Sequence, residues 1–156
     1  GSVEESNEGN NQSALQTIAI TRLYPDLVVT SITAPTPSST NPETTISVTA
    51  TIKNIGSART GSGSSATLFL SADTTITPSF EPYIGAVSIS ELAPGEEITV
   101  TINGWIPYGT NTGTYYLAVI ADMSCGGGWC NNGNNGSVEE SNEGNNQSAL
   151  QTIDIL

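Results

Sequence analysis

The amino-acid sequence predicts an all-β fold of the two-sheet sandwich type. No window of the chain repeats apolar residues with the period near 3.6 that marks an amphipathic helix. Short runs rich in Val, Ile, Thr and Tyr alternate instead with clusters of Gly, Pro, Asn and Ser, which is typical of strands separated by turns. Seven such runs indicate a seven-stranded β-sandwich, with an open barrel as the alternative.

A segment of eighteen residues occurs twice in the chain. Residues 1–18 and residues 136–153 share the sequence GSVEESNEGNNQSALQTI, with an offset of 135 positions. Identity of this length at a fixed spacing indicates a tandem repeat, and the alternative is an artificial duplication. The copies differ directly afterwards, from Ala19 in the first and from Asp154 in the second. The chain therefore contains one full module and the last strand of an upstream neighbour.

This repeat divides the chain into three parts. We interpret residues 1–20 as the closing strand of the upstream repeat or as a donor strand, and residues 21–25 as a linker. Residues 26–156 then form the sandwich, whose length falls at the common size of a single domain. Pro25 supports a boundary at the linker, because proline cannot donate to a strand ladder and favours extended geometry in the residue before it.

The strands follow in order from the local patterns. Residues 12–20 place Ala14 and Ile18 on one face of a short strand that closes the upstream module. Residues 26–34 are rich in β-branched side chains and end at a proline cluster. Residues 43–54 alternate most cleanly, which predicts one buried face and one solvated face. Further strands are predicted around residues 66–70, 83–89 and 98–102.

The most apolar run, residues 113–122, predicts a central strand that is buried on both sides. The second copy of the repeated segment then supplies the seventh strand.

Charge limits the partners of this protein. Fifteen carboxylates face three basic residues, Arg22, Lys53 and Arg59, which gives a formal net charge of −12. Such a chain repels nucleic acid and anionic lipid headgroups, so we expect neither as a partner. No run approaches the length of apolar sequence that spans a bilayer, so we expect no membrane insertion. We expect this acidic surface to interact with cations.

The two cysteines, Cys125 and Cys130, stand in the sequence CGGGWC. This spacing fits neither a CxxC zinc half-site nor a thioredoxin motif. A local disulfide is the favoured interpretation, and two free thiols in a cytosolic protein are the alternative. A disulfide predicts an oxidising compartment, and hence an extracellular or cell-surface location.

Several stretches, taken in their order and spacing, resemble the CARDB family of cell-adhesion-related domains. The matching segments are PDLVVTSI at residues 25–32, IKNIGSA at 52–58, LFLSAD at 68–73, IGAVSISELAPGE at 84–96, GTYYLAVIAD at 113–122 and VEESNEGNN at 138–146. The chain departs from the family in the insertion at residues 125–136. The resemblance implies an immunoglobulin-like sandwich and a role in bacterial or archaeal surface proteins.

The residue inventory argues against an enzyme. The chain has no histidine, so Ser-His-Asp and Cys-His arrangements and an imidazole zinc site are impossible. A pair of carboxylates would satisfy a glycosidase. Most of the acids, however, lie in one turn or singly in other loops, with no aromatic cleft to orient a sugar.

Oxygen-bearing side chains predict a hard-cation site at one rim of the sandwich. Ca²⁺ takes six to eight oxygen ligands from carboxylates, amides and backbone carbonyls. The candidate ligands are Asp122, Glu140, Asn142, Glu143 and Asn145. The alternative is that these side chains bond to their own backbone or are merely solvated. Asp73 and Glu81 form a second, weaker candidate.

Three N-x-S/T sequons predict possible glycan sites at Asn11, Asn135 and Asn146. The first and third are the same site in the two copies of the repeated segment. The alternative is that these are ordinary polar loops in a chain rich in Asn and Ser.

Together these observations predict a non-enzymatic repeat or subunit of an extracellular surface fibre. Copies of the chain would associate head to tail through β-strand pairing, because an unpaired strand edge is stabilised by another chain or another copy. Such a contact does not close on itself and generates a filament. The alternative function is a ligand-binding or adhesin module of a larger secreted protein, which an aromatic platform or pocket would favour.

Overall fold

A computed structural model describes most of the chain. It leaves out residues 1, 2, 5, 8, 10, 11, 124, 127, 128 and 131–135, and it describes the backbone alone at residues 125, 126, 129 and 130. The predicted sites at Asn11 and Asn135, and the side chains of both cysteines, therefore lie outside the described part of the protein.

Two mainly antiparallel sheets pack face to face and confirm the predicted sandwich. The smaller sheet has the order β1-β3-β6, with β1 at Leu27–Ile32, β3 at Thr45–Asn54 and β6 at Glu97–Trp105. The larger has the order β2-β10-β7-β4-β5, with β2 at Ser39–Thr40, β4 at Ser64–Ser71, β5 at Tyr83–Ile89, β7 at Gly113–Ala121 and β10 at Gln151–Ile155. Within this sheet β2 runs parallel to β10.

The main core lies between the sheets, as the alternation of β3 predicts. Its buried face presents Ile46, Val48, Ala50 and Ile52 to the facing sheet. The opposite face is solvated, and there the hydroxyls of β3 threonines pair with those of β6 at 3.0 and 3.3 Å. The outer surface of the small sheet is therefore polar but largely uncharged.

A second, smaller core covers the outer face of the larger sheet. Phe69, Ala118 and Ile120 are buried there beneath Ile76, and Leu150 packs against them. The last five residues of β7, Leu117 to Ala121, are consequently buried on both faces. The prediction of a doubly buried central strand is confirmed for this half of β7, while its first residues are exposed.

The structure differs from the predicted elements in three places. Residues 12–20, predicted as a strand, form none in the structure and are exposed. The two-residue strand β2 was not predicted. A short hairpin of β8 (Cys125–Gly126) and β9 (Trp129–Cys130) stands where the sequence indicated only an insertion. The described residues contain no helix long and apolar enough to cross a bilayer.

The chain runs through the sandwich from one end to the other. It enters at Asp26, where Leu27 pairs with the last residue of β3, and we call this the proximal end. It leaves where Ile155 pairs with Gly113, the first residue of β7, and we call this the distal end. The start and the finish of the module therefore lie at opposite ends.

Candidate functional site

The two copies of the repeated segment have different environments. In the second copy, Ile153 is 1% exposed, and its strand β10 lies between β2 and β7 in the larger sheet. In the first copy, the corresponding Ile18 is 84% exposed. Leu150 packs on the second core, whereas its counterpart Leu15 is 89% exposed. One sequence thus forms a core strand in one place and an exposed apolar segment in the other.

The position of β10 shows what this segment needs in order to become a strand. All five residues of β10 pair with β7, from Gln151 opposite Leu117 to Ile155 opposite Gly113. On its other side the amides of Asp154 and Leu156 donate to Ser38 and Thr40 at 3.1 and 2.9 Å. A strand held on both sides is an internal part of the sheet, so the larger sheet is incomplete without it.

The turn before β10 fastens the first strand of the module. Glu140 is 8% exposed, and one of its carboxylate oxygens accepts the backbone N–H of Leu27. The other accepts the side-chain amide of Asn146 at 3.3 Å. The backbone N–H of Glu140 donates to the Glu143 carboxylate at 2.9 Å, which closes the turn. Glu140 therefore joins the repeated segment to β1.

Asp26 forms the second part of this junction. Its carboxylate accepts the Ser141 hydroxyl and the Asn145 side-chain amide, each at 2.9 Å. The Ser141 amide in turn donates to the backbone oxygen of Pro25 at 2.9 Å. The linker is attached to the same turn, because Arg22 pairs with Glu139 at 2.8 Å and stacks over the Tyr24 ring.

Asp122 closes the base of the insertion. Its two carboxylate oxygens accept the backbone N–H groups of Ser137 and Val138 at 3.0 and 2.9 Å. Asp122 has a positive φ of 51°, which aspartate tolerates better than most residues. A Cβ on Gly136 would lie 1.8 Å from the Asp122 carboxylate, so only glycine fits there. Chain segments 14 positions apart are thereby brought together.

Two carboxyl groups of this region, those of Glu140 and Asp122, have a raised pKa. Burial is the main cause that raises the pKa of Glu140 to about 7, and the charges of Glu143, Asp122 and Asp26 raise it further against the opposing bond from Leu27. Burial likewise raises the pKa of Asp122, with the bonds from Val138 and Ser137 opposing it. Among the described residues, the negative charge concentrated at the proximal end is therefore only partly balanced by basic side chains.

The predicted cation ligands lie in one region but do not form a cage. Asp122, Glu140 and Glu143 are close enough to affect one another's charge, yet the described residues contain no group of three carboxylates placed to hold a metal ion. The side-chain oxygen of Asn142 accepts the backbone N–H of Gly144 in the same turn at 3.0 Å. This bond fits the alternative interpretation, in which these side chains bond to their own backbone. The side-chain oxygens of Asn145 and Asn146 are buried without a hydrogen-bond donor. Sequence reasoning did not include Asp26 or Asn146 among the candidate ligands.

The predicted glycan site at Asn146 lies in a buried position. This residue is 7% exposed, and its side-chain nitrogen donates to the Glu140 carboxylate. N-linked sugar attaches to that nitrogen, so a glycan would have to displace the junction with β1. The register of the short hairpin sets the backbone of Cys125 opposite Cys130, and the disulfide stays a prediction.

The second carboxylate pair lies at the distal end. Asp73 and Glu81 line a cavity of about 370 Å³ together with Tyr108 and Tyr115. Glu81 accepts the Ser71 hydroxyl at 2.9 Å and the Thr77 amide, and Asp73 accepts the Thr75 amide at 2.7 Å. Both carboxylates therefore organise the loop between β4 and β5, and they border a pocket that the sequence did not predict.

Comparison with known families gives a match to CARDB over residues 24–150, most of the chain. The chain belongs to the CARDB family. The match spans both sheets of the sandwich and confirms the family indicated by the sequence motifs. Membership supports a non-catalytic module of a surface protein. Comparison with curated proteins gives no match.

Solved structures of CARDB domains share this fold. The CARDB domain of the PF1109 protein from Pyrococcus furiosus, in complex with di-metal ions, is 23% identical, with a TM-score of 0.53 and coverage of 87% of this chain and 97% of that one. Its solution structure is 22% identical, with a TM-score of 0.53 and coverage of 85% and 96%. A β-glucosidase from Listeria innocua in complex with isofagomine is 15% identical, with a TM-score of 0.50, and 85% of this chain matches only 16% of that enzyme. These likenesses concern the fold.

The CARDB motifs also contain a structural residue that strand patterns do not reveal. Asn54, in the stretch IKNIGSA, is fully buried and satisfies all four of its side-chain hydrogen bonds. Its oxygen accepts the amides of Asp26 and Gly56 at 3.1 and 3.0 Å, and its nitrogen donates to the carbonyls of Ala58 and Leu92 at 2.8 and 3.0 Å. In the sequence, the resemblance to CARDB was the signal that pointed to Asn54, because periodicity assigns this residue only to the end of a strand.

Proposed function

We propose that this chain is a non-enzymatic, repeating module of an extracellular surface protein or fibre, arranged head to tail with copies of itself. The observation that carries the proposal is the contrast between Ile18 and Ile153 within one repeated sequence. The segment that completes this sandwich occurs again, exposed, ahead of the linker. Residues 1–20 then complete the sheet of a preceding module, residues 21–25 connect the two, and residues 26–156 form the next sandwich.

Covalent continuity is the arrangement that this geometry favours. The position between β2 and β7 is already filled by β10 of the same chain. A strand donated by a separate subunit would have to displace β10 and give up the burial of Ile153. A preceding module in the same polypeptide requires no such exchange, because residues 1–20 would be its own closing strand.

A two-module protein tests this proposal. It consists of residues 22–135 placed directly before Gly1 of the complete chain, which restores the repeat in its natural register. We expect backbone amides of residues 16–20 to exchange with solvent at least ~100-fold more slowly than in the single chain, because they gain ladder bonds to the preceding module. Hydrogen exchange followed by NMR gives this rate for each amide.

Amides of β10 serve as the internal control, since they are protected in both proteins. Equal exchange of residues 16–20 in the single chain and in the two-module protein would contradict the proposal.

A ligand-binding module remains the second candidate function. The observation in its favour is the distal cavity, which combines an exposed aromatic ring at Tyr108 with the carboxylates of Asp73 and Glu81. Pockets that mix apolar walls with a few polar groups are the usual form of small-molecule sites. The rigid sandwich would then present this cavity at the end of a larger secreted protein.

We also propose that Ca²⁺ binds the carboxylates at the proximal end. The support is the mutual repulsion of Asp26, Asp122, Glu140 and Glu143, together with the buried oxygens of Asn145 and Asn146 that accept no hydrogen bond. The carboxylates already bind protein donors, so an ion would have to draw them into a new arrangement. We therefore expect weak affinity, with a dissociation constant of roughly 1 mM, as in extracellular calcium modules.

Thermal and urea unfolding with added calcium test this second proposal. At about pH 8, where Glu140 is ionised, ~10 mM CaCl₂ should raise the free energy of unfolding by about 1.4 kcal/mol for a dissociation constant of ~1 mM. NaCl at matched ionic strength is the control, because salt alone screens repulsion in so acidic a chain. Equal stabilisation by both salts would exclude a specific calcium site.

A further inference from the structure

We propose that the distal end of the sandwich is a docking surface for the proximal end of the next copy of this chain. The inference rests on the head-to-tail arrangement proposed above and adds the contact by which successive modules are held. Its occupant is a second copy, either the next module of the same polypeptide or another subunit placed in the same way.

The length of the linker brings the two ends together. Leu156 corresponds to Thr21 in the repeat register, so only the counterparts of residues 22–25 separate it from the next Asp26. Five residue steps span at most about 18 Å when fully extended. Arg22 and Tyr24 stack on each other, and Arg22 also binds Glu139, so the linker lies along the proximal end rather than projecting freely. The loops of both ends must therefore share a narrow gap.

Exposed apolar side chains of the described sandwich are concentrated at its ends. Phe80 and Tyr108 are 80% and 84% exposed in distal loops, and Trp105 and Leu156 are exposed where β6 and β10 finish at the same end. Leu23 and Ile55 are exposed at the proximal end. The outer face of the small sheet carries paired threonine hydroxyls instead. Exposed aromatic residues at the distal end and exposed aliphatic residues at the proximal end are typical of surfaces that contact a partner.

The distal cavity is the concave part of the proposed contact. Tyr108 stands at a turn in which Thr110 N–H bonds to Pro107 O at 3.3 Å and Gly109 has a φ of 79°. The turn displays the ring beside the cavity of about 370 Å³. A protruding side chain of the next module would be enclosed by the rings of Tyr108 and Tyr115.

The two ends differ in how their charged side chains are paired. The cavity is bordered by the carboxylates of Asp73 and Glu81, which carry no ion pair among the described residues. Arg22, Lys53 and Arg59 are the chain's only basic residues, and all three lie at the proximal end, where β3 finishes and the linker enters. Each of these basic residues is already paired with a glutamate, and the proximal end also carries the carboxylates around Glu140, so we expect apolar surface and shape, and not charge attraction, to hold the contact.

The two-module protein described above provides the test, with ¹⁵N relaxation as the measurement. Docked modules tumble as one elongated body, so the rotational correlation time per module should be at least ~2-fold longer than in the single chain. Replacing Phe80 and Tyr108 by serine in the upstream module should remove this increase. The same double replacement in the downstream module should leave it intact, because that distal end has no neighbour.

Both variants keep the fold, since the two side chains are exposed; unchanged thermal unfolding of the single chain carrying the same replacements checks this. Independent tumbling of the unsubstituted modules would overturn the inference, as would equal effects of the upstream and downstream replacements. Resonances of Tyr108 that respond to cellohexaose or chitohexaose, but not to the added module, would assign the cavity to a saccharide instead. Slow exchange at residues 16–20 with independent tumbling would refute the docking surface alone and leave the repeat arrangement standing.

Discussion

Ile153→Ala is expected to lower the free energy of unfolding by about 3 kcal/mol, whereas Ile18→Ala in the same chain should change it by less than about 0.5 kcal/mol. Ile153 is 1% exposed in the core, so its removal leaves a cavity between the sheets. Ile18 has the same residues on its N-terminal side but projects into solvent. Urea unfolding of the two variants and the parent gives both values.

The comparison is direct because the residues on the N-terminal side of the two positions are identical. A difference of this size reflects the tertiary environment, because the same residue is replaced in both variants and strand propensities span only about 1 kcal/mol. Equal destabilisation by both substitutions would mean that residues 1–18 exchange with β10 in the single chain. That outcome would also contradict the argument for covalent continuity, because this argument depends on β10 occupying the position between β2 and β7.

Stability is expected to fall as the pH rises through neutrality, because Glu140 binds its proton more tightly in the folded protein. Its pKa is about 7 when folded, against 4.5 as the ordinary value. The stabilising contribution of the protonated group is complete below about pH 4.5 and is lost as the pH passes about 7. The shift corresponds to a loss of about 3 kcal/mol between these limits. Asp122 contributes with the same sign.

Glu140→Gln isolates this effect. The side-chain oxygen of the glutamine still accepts the backbone N–H of Leu27. Its side-chain nitrogen can donate to the side-chain oxygen of Asn146 after the Asn146 amide group flips. The variant should lose about 3 kcal/mol less stability than the parent between about pH 4.5 and pH 8. Glu139→Gln is the matched control, since Glu139 is exposed and paired only with Arg22 in the described structure. A parent and a Glu140→Gln variant with parallel pH profiles would show that this carboxyl does not titrate near neutrality.

Sequence patterns predicted the strands that carry strong alternation or a long apolar run. β3 shows the reason: its buried and solvated faces follow directly from every second residue, from Ile46 to Ile52. The strand β2 has two residues and depends on β10 for pairing, so no local pattern marks it. Residues 12–20 show the converse, because their local pattern predicts a strand and the structure forms none there.

The sequence predicted which residue types form the candidate site. It did not predict the hydrogen bonds that connect them. Glu140, Glu143 and Asp122 belong to one turn region and one strand end, so their convergence could be inferred from the order of the strands. Asp26 lies 114 positions before Glu140, and its bonds to Ser141 and Asn145 depend on the packing of β1 against the turn. No periodicity encodes such a contact. The role of Glu140 as acceptor for Leu27 likewise required the folded chain.

The course of the chain from the proximal to the distal end has a mechanical consequence. Tension applied along an array would pull β1 at Leu27 toward one end and β10 at Ile155 toward the other. The hydrogen bonds of β1 with β3 and of β10 with β7 lie across that direction, so the load shears a whole ladder at once and does not peel it one bond at a time. In the proposed head-to-tail array, a module threaded in this way would resist force applied along its length.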